Sequence, residues 1–142
     1  MKTRILLVDD EEEFVQALSE RLTIRDYDVT TSLSGEDALL KVKGHDFDVV
    51  ILDVAMPGMN GIAALREIKG IKPLTEVIML TGRATVDTAI DGMKLGAYDY
   101  IMKPCDTEQL VSNINKAHAR KVEHEERIRE ARVREIILAR GA

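Results

Sequence analysis

Three short stretches, Ile5-Leu6-Leu7-Val8, Val49-Val50-Ile51-Leu52 and Val77-Ile78-Met79-Leu80, are apolar at every position rather than at every second one. A strand with one wet face alternates, so unbroken runs of this kind belong to strands covered on both faces, as in a parallel sheet. The strands read as Arg4–Val8, Asp28–Thr31, Asp48–Leu52, Val77–Leu80 and Tyr98–Met102. Between them the apolar spacing changes to that of helices: Phe14, Leu18 and Leu22, then Ala38 and Val42, then Ile62, Leu65 and Ile68. Ser34 with Asp37 predicts a helix start of the capping-box kind, with Asp in place of the usual Glu or Gln, and Asp106-Thr107-Glu108 opens the last helix. Gly44, Gly70 and Gly96 sit where helices give way to strands. A βα unit repeated five times predicts an α/β, doubly wound, five-stranded parallel sheet of flavodoxin-like order 2-1-3-4-5.

A chain of 142 residues with 45% hydrophobic content suits one core. Its net charge of −5 argues against direct nucleic-acid binding, which depends on clustered cations. Only four apolar residues follow Arg4, too few for a secretory segment, and no run reaches membrane-spanning length, which predicts a cytoplasmic protein without membrane contact. Cys105 is the only cysteine, and it reads as a small packed hydrophobe. His45, His118 and His124 lack metal-ligand spacing.

The polar residues converge on one edge. Asp9 and Asp10 follow the first strand, Asp53 the third, Thr81 the fourth and Lys103 the fifth, all at carboxyl ends, where open α/β sheets bind ligands. Taken singly, each has an ordinary explanation: an acid or Thr81 could cap a helix, one of them starting near Ala84, and Lys103 could be solvated. Five such residues at one edge point to a site. Three carboxylates in one pocket repel each other unless positive charge is supplied, and a divalent cation together with Lys103 would neutralise them. Hard oxygen donors favour Mg²⁺ or Mn²⁺, which are commonly completed by phosphate oxygens, and a carboxylate can act as the nucleophile to form an aspartyl phosphate. Lys103 stands opposite the acids with little else to pack against, so its replacement by Ala is expected to leave the metal-free fold as stable or more stable.

Four motifs carry a family resemblance: Ile5-Leu6-Leu7-Val8-Asp9-Asp10-Glu11, the run Val50 to Gly61 containing Leu52-Asp53 and Met56-Pro57-Gly58, Leu80-Thr81-Gly82, and Gly96 to Pro104 ending in Met102-Lys103-Pro104. In this order the chain resembles the receiver domain of bacterial two-component response regulators over about residues 2 to 120. The resemblance implies that Asp53 takes a phosphoryl group from a histidine-kinase phosphohistidine. It implies Mg²⁺ held by Asp10, Asp53 and the backbone carbonyl of Ala55, with Asp9 assisting. Thr81 and Lys103 would contact the phosphoryl oxygens, and the Lys103–Pro104 bond would be cis. A coupled movement of Thr81 and Tyr100 would then reshape the face of helix four, strand five and helix five. Such a protein is not an enzyme beyond its own phosphorylation and dephosphorylation. Its partners would be a sensor histidine kinase or phosphotransfer protein and a downstream protein target. The chain departs from the common pattern at Cys105, where Phe is frequent, and carries Ala55 and Arg83 where the family varies phosphoryl lifetime.

A metal-dependent phosphohydrolase using an aspartate nucleophile would need a second acid two residues on, where Ala55 stands. A flavin or dinucleotide carrier would want a glycine- or hydroxyl-rich first loop in place of Asp9 to Glu13. Residues 121–142 are densely charged with both signs and predict a helical extension of the domain over residues 1–120. Glu123–Arg127, Glu125–Arg129 and Glu130–Arg134 are acid-before-base pairs one turn apart. Ile114, Ala117, Ile128, Ala131 and Leu138 define a seam broken by Lys121, His124 and Glu135, so a strong coiled coil is not expected. Ile136-Ile137-Leu138 nevertheless suggests a contact with a partner or with a second copy in a homodimer.

Overall fold

A computed structural model describes residues 1–82 and 85–141. Its elements are β1 (Arg4–Val8), α1 (Glu12–Ile24), β2 (Asp28–Ser32), α2 (Gly35–Gly44), β3 (Val49–Leu52), α3 (Gly61–Ile71), β4 (Glu76–Thr81), α4 (Val86–Lys94), β5 (Asp99–Met102) and α5 (Thr107–Gly141). All neighbouring strands are parallel, in the order β2-β1-β3-β4-β5. The expected doubly wound sheet is therefore the observed one.

Alternate strand residues feed two cores. Leu6, Val8, Val50, Leu52, Val77 and Met79 pack with Ala38, Leu39 and Val42 of α2 and Ala64, Leu65 and Ile68 of α3. Ile5, Leu7, Val49, Ile51, Ile78 and Leu80 pack on the other face with Val15, Leu18 and Leu22 of α1 and Leu110, Ile114 and Ala117 of α5. Burial on both faces is the reason the central runs carry no polar alternation.

Helix and strand limits show where local chemistry overrides apolar pattern. The Ser34 hydroxyl accepts from the Asp37 amide (3.1 Å), but the Asp37 carboxylate turns to the Ser32 hydroxyl (2.7 Å) and Lys41 (2.9 Å). Aspartate is one methylene shorter than the usual Glu, and the end of β2 offers it a nearer donor. Gly96 follows the end of α4 with φ 101°, a conformation that glycine adopts without strain. Gly44 and Gly70 instead lie within the last turns of α2 and α3. The helix start expected near Ala84 lies outside the described residues, as does Arg83; Thr85 caps α4, its hydroxyl accepting from the Thr88 amide.

The last helix is continuous over 35 residues. Lys121, the first residue of the expected extension, is buried, and its ammonium lies 3.3 Å from Asp48 Oδ1. Residues 126–141 are exposed throughout. The Glu123–Arg127 pair forms at 2.6 Å, whereas Glu125 approaches Lys121 (3.4 Å) and Arg129 bonds to Glu126 (2.7 Å). Among the described residues no helix is long and apolar enough to cross a membrane.

Candidate functional site

Parallel register decides which acids meet. Val8 pairs with Leu52 across β1 and β3, so the residues that follow, Asp9 and Asp53, leave the sheet side by side. The Asp53 amide donates to the Val8 carbonyl (3.0 Å) and the Asp9 amide to the Ser32 carbonyl (3.1 Å), carrying the ladder one residue past the strands. Carboxylate oxygens of Asp9, Asp10 and Asp53 lie within 4.8 Å of one another. Asp9 and Asp53 are buried and Asp10 is exposed. Asp10, Glu11, Asp53, Ala55, Met56 and Gly82 line a cleft of about 560 Å³ over these acids.

Behind Asp53 the chain is pinned closely. The Gly61 amide donates to the Val54 carbonyl (2.8 Å), and a Cβ on Gly61 would stand 2.0 Å from the Asp53 carbonyl oxygen. Only glycine lets α3 begin against the backbone of Asp53. Asn60 caps that helix by accepting from the Ala63 amide (2.9 Å), and the Ala55 amide donates to Asp53 Oδ1 at 3.4 Å.

Lys103 reaches the acid cluster through Asp9. Its ammonium lies 2.5 Å from Asp9 Oδ2 and 3.4 Å from Glu11 Oε1, and 4.0 Å from the centre of the Phe14 ring. The expectation that Lys103 has little to pack against is therefore corrected: its side chain is 14% exposed and lies between an aromatic face and two carboxylates. Burial is the strongest influence on this ammonium and favours its neutral form. The Asp9 hydrogen bond and the charges of Asp9, Asp53 and Glu11 together outweigh it and hold its pKa above the usual lysine value. For Asp9, burial comes first and wins: with the added charge of Asp53, it holds the carboxyl above the usual range despite hydrogen bonds from Lys103 and the Glu11 amide. One cation does not balance this pocket.

Thr81 ends β4 fully buried, and its backbone carbonyl accepts from the Lys103 amide (2.9 Å). The Lys103–Pro104 peptide bond is cis. Tyr100 is half-buried against the face of the sheet that packs on α2 and α3, its hydroxyl 3.0 Å from the Thr88 hydroxyl in the first turn of α4, with Gly92 leaving room beside its ring. Asp10, Asp53 and Ala55 thus line one cleft, with Asp9 in the same acid cluster, Lys103 paired to Asp9, Thr81 joined to Lys103 through the backbone and Tyr100 one step further out, against α4. Sequence reasoning did not single out Phe14 or Glu36. Phe14 read only as part of a helix face; its place two residues into α1, after the acidic run, was the available signal. Glu36 stands in the first turn of α2, where nothing in its spacing marks it out.

The family model for the response regulator receiver domain matches residues 5–115. The chain belongs to that family. The receiver domain is 40% identical over 118 residues to the transcriptional regulatory protein ZraR of Salmonella typhimurium, covering 83% of this chain and 27% of that protein. It thus spans about a quarter of the length of that relative. Among solved structures, a response regulator receiver domain protein from Clostridium thermocellum is 40% identical with TM-score 0.80, covering 84% of this chain and 96% of that one. A CheY-like receiver domain protein from Methanospirillum hungatei is 26% identical with TM-score 0.85, covering 87% and 99%. Membership is consistent with phosphoryl acceptance in two-component signalling, and it replaces the phosphohydrolase and carrier alternatives.

Proposed function

We propose that Asp53 is the phosphoryl acceptor of this receiver domain and that phosphorylation needs Mg²⁺ or Mn²⁺. The observation that carries the reading is the charge imbalance: three carboxylates within 4.8 Å of one another, and one ammonium bonded to one of them. The donor set fits a hard divalent cation, since all its side-chain atoms are carboxylate oxygens and exposed Asp10 leaves the cluster open to solvent. Asp10, Asp53 and the carbonyl of Ala55 would hold it, with Asp9 assisting. Bound there, the cation supplies positive charge opposite the oxygens of the transferring group.

The chain's own residues do the rest. The Asp53 carboxylate attacks phosphorus as the P–N bond to the imidazole of the donor's phosphohistidine breaks and that imidazole leaves, and Lys103 and Thr81 contact the transferred oxygens. The new charge draws on Lys103, which Asp9 holds in the folded protein. The Thr81 hydroxyl and the Tyr100 ring move together, altering the contact between Tyr100 and Thr88 and with it the α4–β5–α5 face. The donor is a sensor histidine kinase or phosphotransfer protein, and the altered face meets a downstream protein target. These 142 residues act in the cytoplasm, without direct nucleic-acid or membrane contact. Residues 1–120 form the domain and residues 121–142 a helical extension, whose exposed Ile136, Ile137 and Leu138 suit a partner or a second copy.

Incubation with acetyl phosphate and Mg²⁺ should add one phosphoryl group by intact mass, lost on adding a chelator beforehand and absent in Asp53→Asn. Equal labelling of Asp53→Asn would assign the acceptor elsewhere.

A further inference from the structure

The loop from Val54 to Asn60 forms one rim of the cleft and carries Ala55, Met56 and Pro57 into its lining. Its base is fixed by the Gly61–Val54 hydrogen bond and its inner side by the buried side chains of Val54 and Met56. The tip is held from another element. Glu36, in the first turn of α2, accepts a hydrogen bond from the Met59 amide through Oε1 at 2.7 Å. The same oxygen would stand 2.9 Å from a Cβ on Gly58, whose φ of 74° turns the chain beneath the carboxylate. One residue earlier, a Cβ on Gly35 would stand 2.9 Å from the Met59 carbonyl oxygen, so the start of α2 abuts the loop with no intervening side chain.

We propose that Glu36 is a positioning residue for the phosphoryl-acceptor site, setting the height of the Val54–Asn60 loop over Asp53 and hence the placement of the Ala55 carbonyl. The three contacts converge on two consecutive loop residues, Gly58 and Met59, from a helix whose other side is packed into the core through Ala38, Leu39 and Val42. A hydrogen bond from an amide to a carboxylate is stronger and more directional than one to a neutral oxygen. Hydrogen bonds from its own amide and from that of Met59 hold the Glu36 carboxyl below the usual range, so the acceptor is ionised at neutral pH. Gly58 loses more conformational entropy on folding than a residue with a side chain would and supplies no side-chain restraint of its own, which leaves the tip dependent on an external anchor. Glu36 touches neither Asp53 nor a transferred group; it acts through the backbone.

The inference rests on the Mg²⁺-dependent reading of Asp53, and its test separates the two. Glu36→Ala and Glu36→Gln are compared in the 142-residue chain. Both remove the charge from the α2 first turn, but only Gln can still accept from the Met59 amide. In metal-free Glu36→Ala the Met59 amide should exchange with solvent about tenfold faster than in the parent. Its Mg²⁺ dissociation constant by calorimetry should rise about tenfold, while Glu36→Gln stays near the parent in both. Unchanged Met59 exchange in Glu36→Ala, or equal impairment of the two variants, would overturn the proposal, the latter by assigning the effect to charge at the helix end. Should the parent bind no Mg²⁺, the Asp53 reading fails and the positioning role falls with it, whereas the exchange data still report whether Glu36 holds the loop.

Discussion

The two ends of the sheet hold buried acids and treat them oppositely. At the carboxyl ends, Lys103 pairs with Asp9 alone of the three clustered aspartates, and Asp53 and Asp10 stand beside it. At the amino ends, Asp48 and Glu76 are each surrounded. Asp48 receives the Arg4 amide (2.8 Å) and guanidinium (3.3 Å) and Lys121 (3.3 Å), with His118 3.7 Å away. Glu76 bonds to Arg120 and faces Lys69 at 3.8 Å. Burial is the leading influence on both Asp9 and Asp48 and raises each. At Asp9 it prevails, while at Asp48 the hydrogen bonds from Arg4 and Lys121, with the charge of His118 nearby, outweigh it and hold the carboxyl below the usual range. Lys69 is driven below its usual value by burial first, with the charge of Arg120 adding to it despite Glu76. The amino end is closed by cations to spare, and the carboxyl end is left short of them. A buried acid is structural where its charge is answered and available for binding where it is not.

The same substitution at both ends should have opposite signs. Asp48→Asn removes one member of a buried charge network and should cost about 3–5 kcal/mol at pH 7. Asp9→Asn removes a buried charge that the folded site holds less readily than the unfolded chain does, and should leave the metal-free melting temperature equal or higher. The pH dependence follows. The folded pKa of Asp48 is lowered, so its stabilisation is complete above the unfolded value near pH 4 and is lost as pH falls through the folded value. Asp9, with its raised pKa, favours the fold at acid pH and loses that contribution as pH rises through its folded value. Thermal melts from pH 3 to 7 should show a flatter acid limb for Asp48→Asn; equal losses for both variants at neutral pH would erase the distinction.

Lys103→Ala should be destabilising by about 2 kcal/mol without metal, because Asp9 is left buried beside Asp53 and the Phe14 contact is lost. Adding Mg²⁺ should recover part of that loss. A melting temperature equal to the parent in chelator would show that the ion pair with Asp9 contributes nothing.

The smallest effect is expected at the C-terminus. Ending the chain after Glu125 removes exposed pairs worth about 0.2–0.5 kcal/mol each in an isolated helix. It should barely move the melting temperature while shifting any dimer toward monomer in sedimentation. Ending it after Arg120 also removes Lys121 from Asp48 and should approach the cost of Asp48→Asn. Similar melts for the two truncations would place Lys121 outside the amino-end network.

Much of this was legible in the chain. Unbroken apolar runs gave away doubly covered strands, and alternation between strand and helix spacing then brought Asp9, Asp10, Asp53, Thr81 and Lys103 to one edge. The less legible parts depend on relations that spacing does not carry. Lys121 looked like a flaw in an apolar seam because its partner, Asp48, lies 73 residues away on another element. Asp37 looked like half of a capping box because Ser32 could be placed beside it only by the end of β2. Lys103 looked bare because the Phe14 ring reaches it from α1 across the carboxyl edge.

Helix α5 is bolted to the sheet through Leu110, Ile114, Ala117 and Lys121, and its last stretch, residues 126–141, stands free of it. At 1.5 Å per residue that free part projects about 24 Å. It is a pointer with its pivot at the amino edge of the sheet: a tilt of about 10° there carries the tip roughly 4 Å sideways. A rearrangement too slight to disturb the core would thus become a displacement of side-chain size at Ile136, Ile137 and Leu138.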